Sequence, residues 1–269
     1  MEGEIDMMPL KLTPLAPILI VFISGATWAA EVPIDLNTWS KKGPAANGNW
    51  VVAPGGATVN QTINGNPTFF VGPGSFIDTV LRGKITSGAG DDDLIGFVMG
   101  YNAPAGIGND MDYVLLDWKQ NNQASGGFTS FEGFSLNRVN GTITDYIPGF
   151  WGRTDSAGFD NLATNYSTTN GWAAGVEYSF EIAYRADRVT VGVLGGAFGT
   201  PTTVLDVAGS FPAGQFGFYN YSQANVTYSG FTLEELPPTN PIPEPGTYAL
   251  MLAGLVGVGL FARRRRNAG

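Results

Sequence analysis

Between Tyr178 and Gly195 the chain reads YSFEIAYRADRVTVGVLG, and this stretch limits the possible folds more than any other. Phe180, Ile182 and Tyr184 alternate with small or polar residues up to Ala186 and Asp187, after which Val189, Val191 and Val193 alternate back. A period of two puts these apolar side chains on one face of a two-stranded ribbon, whereas a helix would scatter them around its axis. The stretch is therefore an antiparallel hairpin, and its apolar face needs a cover.

Further runs of the same kind follow one another at short intervals. NWVVAPGGATVNQTI has a turn at Pro54-Gly55-Gly56 between two apolar runs, and SFIDTVLRGKIT alternates well enough to be half buried. DDDLIGFVMGY and DYVLLDWKQ read as paired strands joined by NAPAGIGNDM. In the second, Val114, Leu116 and Trp118 point one way and Tyr113, Leu115 and Asp117 the other, which predicts one core face. GQFGFYNYSQANVTYSGFTLEEL supplies two more strands on either side of residues 222–225. Charged residues make up only 14% of the chain, Gly, Asn, Ser and Thr are abundant, and neither a long amphipathic helix nor a fixed-period repeat is present. Residues 31–236 have the length of one sandwich with a proper core. The expected fold class is all-β, an antiparallel β-sandwich.

There is no cysteine and no histidine. That removes thiol catalysis, disulfide stapling, His-ligated zinc and the Ser-His-Asp triad together. The net charge of −9 argues against nucleic acid, whose phosphates need Lys and Arg, and suits divalent cations or neutral sugars better.

The two ends describe a route. Lys11 precedes the apolar run LAPILIVFISGATWAA, read as a signal peptide over residues 1–30 with cleavage after Ala29 or Ala30. Glu2, Glu4 and Asp6 carry the wrong charge for the start of such a signal, which points to initiation at Met7 or Met8. Residues 237–245 form a proline-rich linker containing Pro243, Glu244 and Pro245. The uncharged run 246–262 would reach roughly 25 Å as a helix, a marginal transmembrane helix. Arg263, Arg264, Arg265 and Arg266 then form a basic tail over 263–269 that stays cytoplasmic. Pro-Glu-Pro, an apolar span and an arginine cluster in that order resemble the PEP-CTERM sorting signal. The resemblance implies recognition by an exosortase, a membrane transpeptidase of Gram-negative bacteria that make exopolysaccharide. The plainer alternative is a tail anchor behind a proline-rich linker.

DDDLIGFVMGYN, DYVLLDWKQ, GW followed by YSFEIAYRADRVTVGV, and GQFGFYNYSQANVTYSGFTL occur in a fixed order that is similar to the C-terminal domain of thrombospondins. NWVV at 49–52 and the region around Trp151 fit the same plan, so the resemblance runs from Trp39 to Leu236. It implies a jelly-roll sandwich of the concanavalin-like lectin class. The Asp-rich calcium repeats that precede this domain in thrombospondins are missing, as is the family cysteine.

Asp91, Asp92 and Asp93 stand just before a strand, where Asp91 and Asp93 share a side and could converge on one cation. In a hairpin of strands 94–101 and 113–119 the return strand ends beside them, making Asn121 and Asn122 plausible neighbours. The expected metal set is Asp91, Asp92, Asp93 and Asn121 with calcium; the bland reading is a solvated turn. Asp110 and Asp112 fall at the opposite end. Among the aromatics Trp118 belongs in the core; Trp151, Trp172, Tyr219 and Tyr221 are freer, yet aromatic residues on strands are core far more often than sugar platforms, and no sugar site is assigned. Glu177 and Glu181 are four apart on one strand face, which suits a salt bridge, and the Glu-x-Asp-x-x-Glu strand of sandwich glycosidases is absent. The reading is a non-catalytic, exported surface or matrix protein that binds exopolysaccharide or a neighbouring protein. Its rival is a polysaccharide-modifying glycoside hydrolase or lyase.

Overall fold

Alternation becomes pairing in the hairpin over residues 178–195: Phe180 faces Val193, Ile182 faces Val191 and Tyr184 faces Val189. Its turn is closed by the Arg185 N–H donating to the Arg188 carbonyl at 2.9 Å. The computed structural model describes residues 30–103 and 108–237. The expected signal segment before Ala30, the Pro243-Glu244-Pro245 motif, the helix at 246–262 and Arg263 to Arg266 lie outside the described residues. Among the described residues no helix is long and apolar enough to cross a membrane.

Two antiparallel sheets face each other. The first runs, in spatial order, β15 (Phe198–Ala208), β14 (Arg188–Gly195), β13 (Glu177–Tyr184), β6 (Thr79–Ser87), β17 (Val226–Glu235), β4 (Thr58–Gln61) and β3 (Trp50–Val52). Strand β1 (Val32–Pro33) pairs with β17 beyond the end of β4. The second sheet runs β12 (Phe159–Tyr166), β11 (Gly133–Gly141), β8 (Met111–Lys119), β7 (Leu94–Tyr101), β16 (Gln215–Tyr221), β5 (Thr68–Val71) and β2 (Ser40–Lys42). A small hairpin, β9 (Gln123–Ser125) with β10 (Phe128–Ser130), leaves the end of β8. Strands β16 and β17 are consecutive yet belong to different sheets, so residues 222–225 cross from one layer to the other, with Ser222 and Asn225 at φ 58° and 60°. This is a jelly-roll sandwich.

Between the sheets lies an aromatic core. Trp118 stacks on Phe134 at 4.7 Å and meets Tyr178 edge-on at 4.7 Å, and Phe218 stacks on Tyr228 at 4.4 Å. Such contacts contribute about 0.5–1.5 kcal/mol each beyond the area they bury.

The sequence predicts one core face for β8, and the structure shows two. Val114, Leu116 and Trp118 enter the inter-sheet core, while Tyr113 and Leu115 join a second apolar cluster on the outer face of the same sheet. That face is roofed by residues 142–158, whose π-helical turn Ile147–Trp151 drives Phe150 and Trp151 inward. Phe150 meets Phe159 at 5.4 Å and Tyr219 at 6.3 Å. Gly149 allows this approach, since a Cβ there would lie 2.7 Å from the Phe159 ring. The four aromatics read as freer than Trp118 take the commoner course and are core: Trp151, Trp172, Tyr219 and Tyr221 are 5%, 2%, 0% and 6% exposed. The roof and the inter-sheet core absorb them.

Candidate functional site

The acidic triplet sits in the connection from β6 to β7, at the rim of the sandwich, and its backbone is held before its side chains act. The Asp93 N–H donates to Gln223 Oε1 at 3.1 Å, and the Asp93 carbonyl accepts from the Trp172 indole at 3.1 Å. Asp91 accepts from the Asp92 N–H at 3.0 Å and from the Asn64 amide. The three carboxylates lie within 4.8 Å of one another, close enough for one cation to bridge.

The chain supplies a cation there itself. Lys119, the last residue of β8, is fully buried, and its Nζ donates to Asp92 Oδ1 at 2.8 Å, Asp93 Oδ1 at 2.8 Å, the Asp92 carbonyl at 2.8 Å and Gln123 Oε1 at 2.9 Å. Burial still holds the Asp93 carboxyl above its ordinary range, although the Lys119 ammonium pulls the other way. Asn121 is exposed in the following turn, and Asn122 accepts from the Glu132 N–H at 2.6 Å; neither completes the triplet. The register explains why. Ile95 pairs with Trp118, so Lys119 comes level with the start of β7 and the chain has turned away two residues later.

Calcium asks for six to eight oxygens around it. Here Lys119 Nζ takes two of the triplet's carboxylate oxygens, Asp92 Oδ1 and Asp93 Oδ1, and leaves Asp91 outside its shell, so the triad could hold a metal but not at the position the ammonium fills.

Outward from this corner opens a polar groove of about 490 Å³, lined by Asp91 and Asp93 with Asn64, Gln123, Ser222, Trp151 and Tyr221 among its walls. Its size lies within the range of small-ligand sites. Trp151 ties groove and corner together, with Lys119 Nζ 5.1 Å from its ring. Carboxylate and amide oxygens accept from hydroxyl groups and amide N–H groups donate to them, so the wall chemistry suits a polyhydroxylated ligand.

A second buried pair lies under the roof. Arg153, at φ 52°, donates to Asp117 Oδ1 at 3.0 Å and to the Gly133 carbonyl at 2.9 Å, with its guanidinium 4.6 Å from the Tyr166 ring. Ser135 and Asn137 also donate to Asp117. Burial pushes the Asp117 carboxyl up to about 6, against the opposing pull of Arg153, Ser135 and Asn137. Elsewhere the carboxylates serve cross-strand pairs: Glu177 binds Lys84 at 2.6 Å, Glu181 binds Arg82 at 2.8 Å, and Asp112 binds Arg138 at the far end of β8.

Residues 45–234 match the family model of the thrombospondin C-terminal region. The chain belongs to that family. Within this thrombospondin-type chain, residues 241–266 also match the PEP-CTERM protein-sorting motif, which marks it for export and sorting to the cell surface. It is 26% identical over 192 residues to thrombospondin-3b of Danio rerio, covering 67% of this chain and 20% of that protein. Thrombospondin-4 of Bos taurus is likewise 26% identical over 192 residues, covering 67% and 19%. The thrombospondin-type chain thus spans a fifth or less of the length of these curated relatives. Among solved structures it resembles the exoplasmic/lumenal domain of VIP36 in its Ca2+/Man3GlcNAc-bound form, with TM-score 0.54, 11% identity, and coverage of 80% of this chain and 91% of that one. A Bacillus subtilis protein of unknown function with a galectin-like fold gives TM-score 0.51 and 11% identity, covering 77% and 94%. At such identities the shared property is the fold, a lectin-like sandwich.

Proposed function

We propose that this is an exosortase-sorted surface or matrix protein of a Gram-negative bacterium whose sandwich binds exopolysaccharide, without cleaving it, in the groove beside Asp91 and Asp93. The observation that carries the reading is the groove itself: carboxylates and amides backed by Trp151 and Tyr221, on a fold shared with the VIP36 exoplasmic/lumenal domain solved in its Ca2+/Man3GlcNAc-bound form. The sorting motif supports the location, with processing at Pro243 to Pro245 and membrane attachment through 246–262 beforehand. Weak single-site binding suffices on a surface, because many copies engage one polymer at once.

A catalytic reading would use Asp91 and Asp93 as a carboxylate pair, since two carboxyls across a glycosidic bond are what hydrolysis needs. Against it, Asp93 is 3% exposed and committed to Lys119, which leaves it poorly placed to hand a proton to a sugar. The VIP36 structures include Ca2+-bound forms, and the triplet has the charge for a divalent ion, but Lys119 already bridges Asp92 and Asp93, and groove-side binding of sugar calls for no further ion.

The test is retention of the full chain on a panel of bacterial exopolysaccharides while polymer length is followed. Asn64→Ala and Asp91→Ala should each weaken retention roughly tenfold, the scale of a lost hydrogen bond to a charged group. Absence of retention on every polymer would shift the reading to protein adhesion, and shortening of the polymer would make it an enzyme.

A further inference from the structure

We infer that the Lys119 side chain is a built-in cation, holding the position that a divalent ion would otherwise take in the acidic corner. An ammonium has three N–H donors, yet four oxygens surround Lys119 Nζ at 2.8–2.9 Å. The cage therefore offers more acceptors than a lysine can use with straight bonds, which is the surplus expected of a site suited to a spherical ion. Two of the four oxygens are carboxylates, and the side chains of Lys119 and Asp93 are 0% and 4% exposed, so water reaches Asp92 but cannot take the place of the ammonium at Asp93. Lys119 also touches the two structures that shape the groove, through Gln123 at the start of β9 and through the ring of Trp151. The corner is thus assembled by the chain alone. A domain built in this way keeps its groove among acidic polymers that strip divalent ions from solution, whatever ligand the groove takes.

The experiment is thermal unfolding of the purified full chain with millimolar calcium and with chelator, for wild type and Lys119→Ala. Wild type should unfold at the same temperature in both. Lys119→Ala, which leaves the buried Asp93 and the half-buried Asp92 carboxylates facing each other, should unfold about 10 °C lower in chelator and recover about half of that in calcium. A wild-type melting temperature that rises with calcium, and no longer does so in Asp91→Asn/Asp93→Asn, overturns the inference. So does a Lys119→Ala protein that calcium leaves unrescued, because the cage would then not be a cation site. If the variant does not fold, terbium decides with wild type alone: Trp151 beside the cage would sensitise its emission, so emission that calcium quenches overturns the inference and its absence supports it. These readouts are independent of polysaccharide retention.

Discussion

The two outer faces of the sandwich are finished in opposite ways. On the sheet that carries β6 and β13, side chains facing away from the core form a ladder of exposed ion pairs. Arg82 reaches Glu31, Glu181 and Glu234 at 3.1, 2.8 and 2.7 Å, Lys84 reaches Glu177, and Arg188 reaches Asp206. On the sheet that carries β7 and β8, the corresponding face is apolar and had to be roofed, with the buried Arg153–Asp117 pair beneath the cover. Water solvates the first face at no cost, while the second recruited seventeen residues of chain, 142–158, whose Trp151 became a wall of the rim groove. Surface charge finished one side, and a second small core finished the other.

The comparison breaks most visibly at Arg153. Arg153→Met leaves the Asp117 carboxylate buried without its counter-charge and should cost about 3–5 kcal/mol in denaturant unfolding. A loss below about 1 kcal/mol would mean that the roof side is no more coupled than the exposed side.

The next effect is one of pH. The folded-state pKa of Asp117, about 6, lies above its ordinary value, so the folded protein holds this proton more tightly than the unfolded chain does. The stability contributed by this carboxyl is full below about pH 4, is lost as pH rises to about 6, and is constant above that, a swing of a few kcal/mol. The stability of wild type relative to Asp117→Asn should fall across that window. A flat difference from pH 4 to 7 would show that Arg153 fully offsets the burial.

The smallest effect belongs to the exposed ladder. Arg82→Met should cost less than about 1 kcal/mol, and the cost should shrink further in high salt. A salt-insensitive loss comparable to that of Arg153→Met would erase the distinction between the faces.

How much of this was legible in the chain depends on where periodicity speaks. The β13–β14 register could be read from alternation because one face is wet and the other dry, so polarity marks the sides. Strand β7 offers no such mark: LIGFVMGY is apolar throughout, and all eight of its residues are buried. An unbroken apolar strand is itself a signal that both faces are covered, but the reading here predicted one core face, and 142–158 has no periodicity of its own to announce the roof. The aspartates were legible as a cluster. Lys119 was not, because its meeting with Asp92 and Asp93 is a property of the β7–β8 register, and the return strand had only been placed near enough to nominate Asn121. Asn64 and Ser222 reach the groove from loops distant in sequence, and no local pattern announces them.

The pairing of β1 with β17 has a mechanical consequence. Anything attached beyond Leu236 pulls on β17, which is hydrogen-bonded to β6 along one edge and to β4 and β1 along the other. Tension directed along the strand loads the bonds on both edges together as a shear joint, so they do not open one after another like a zip. The domain meets traction at its C-terminal end with an interior strand, bonded along both edges.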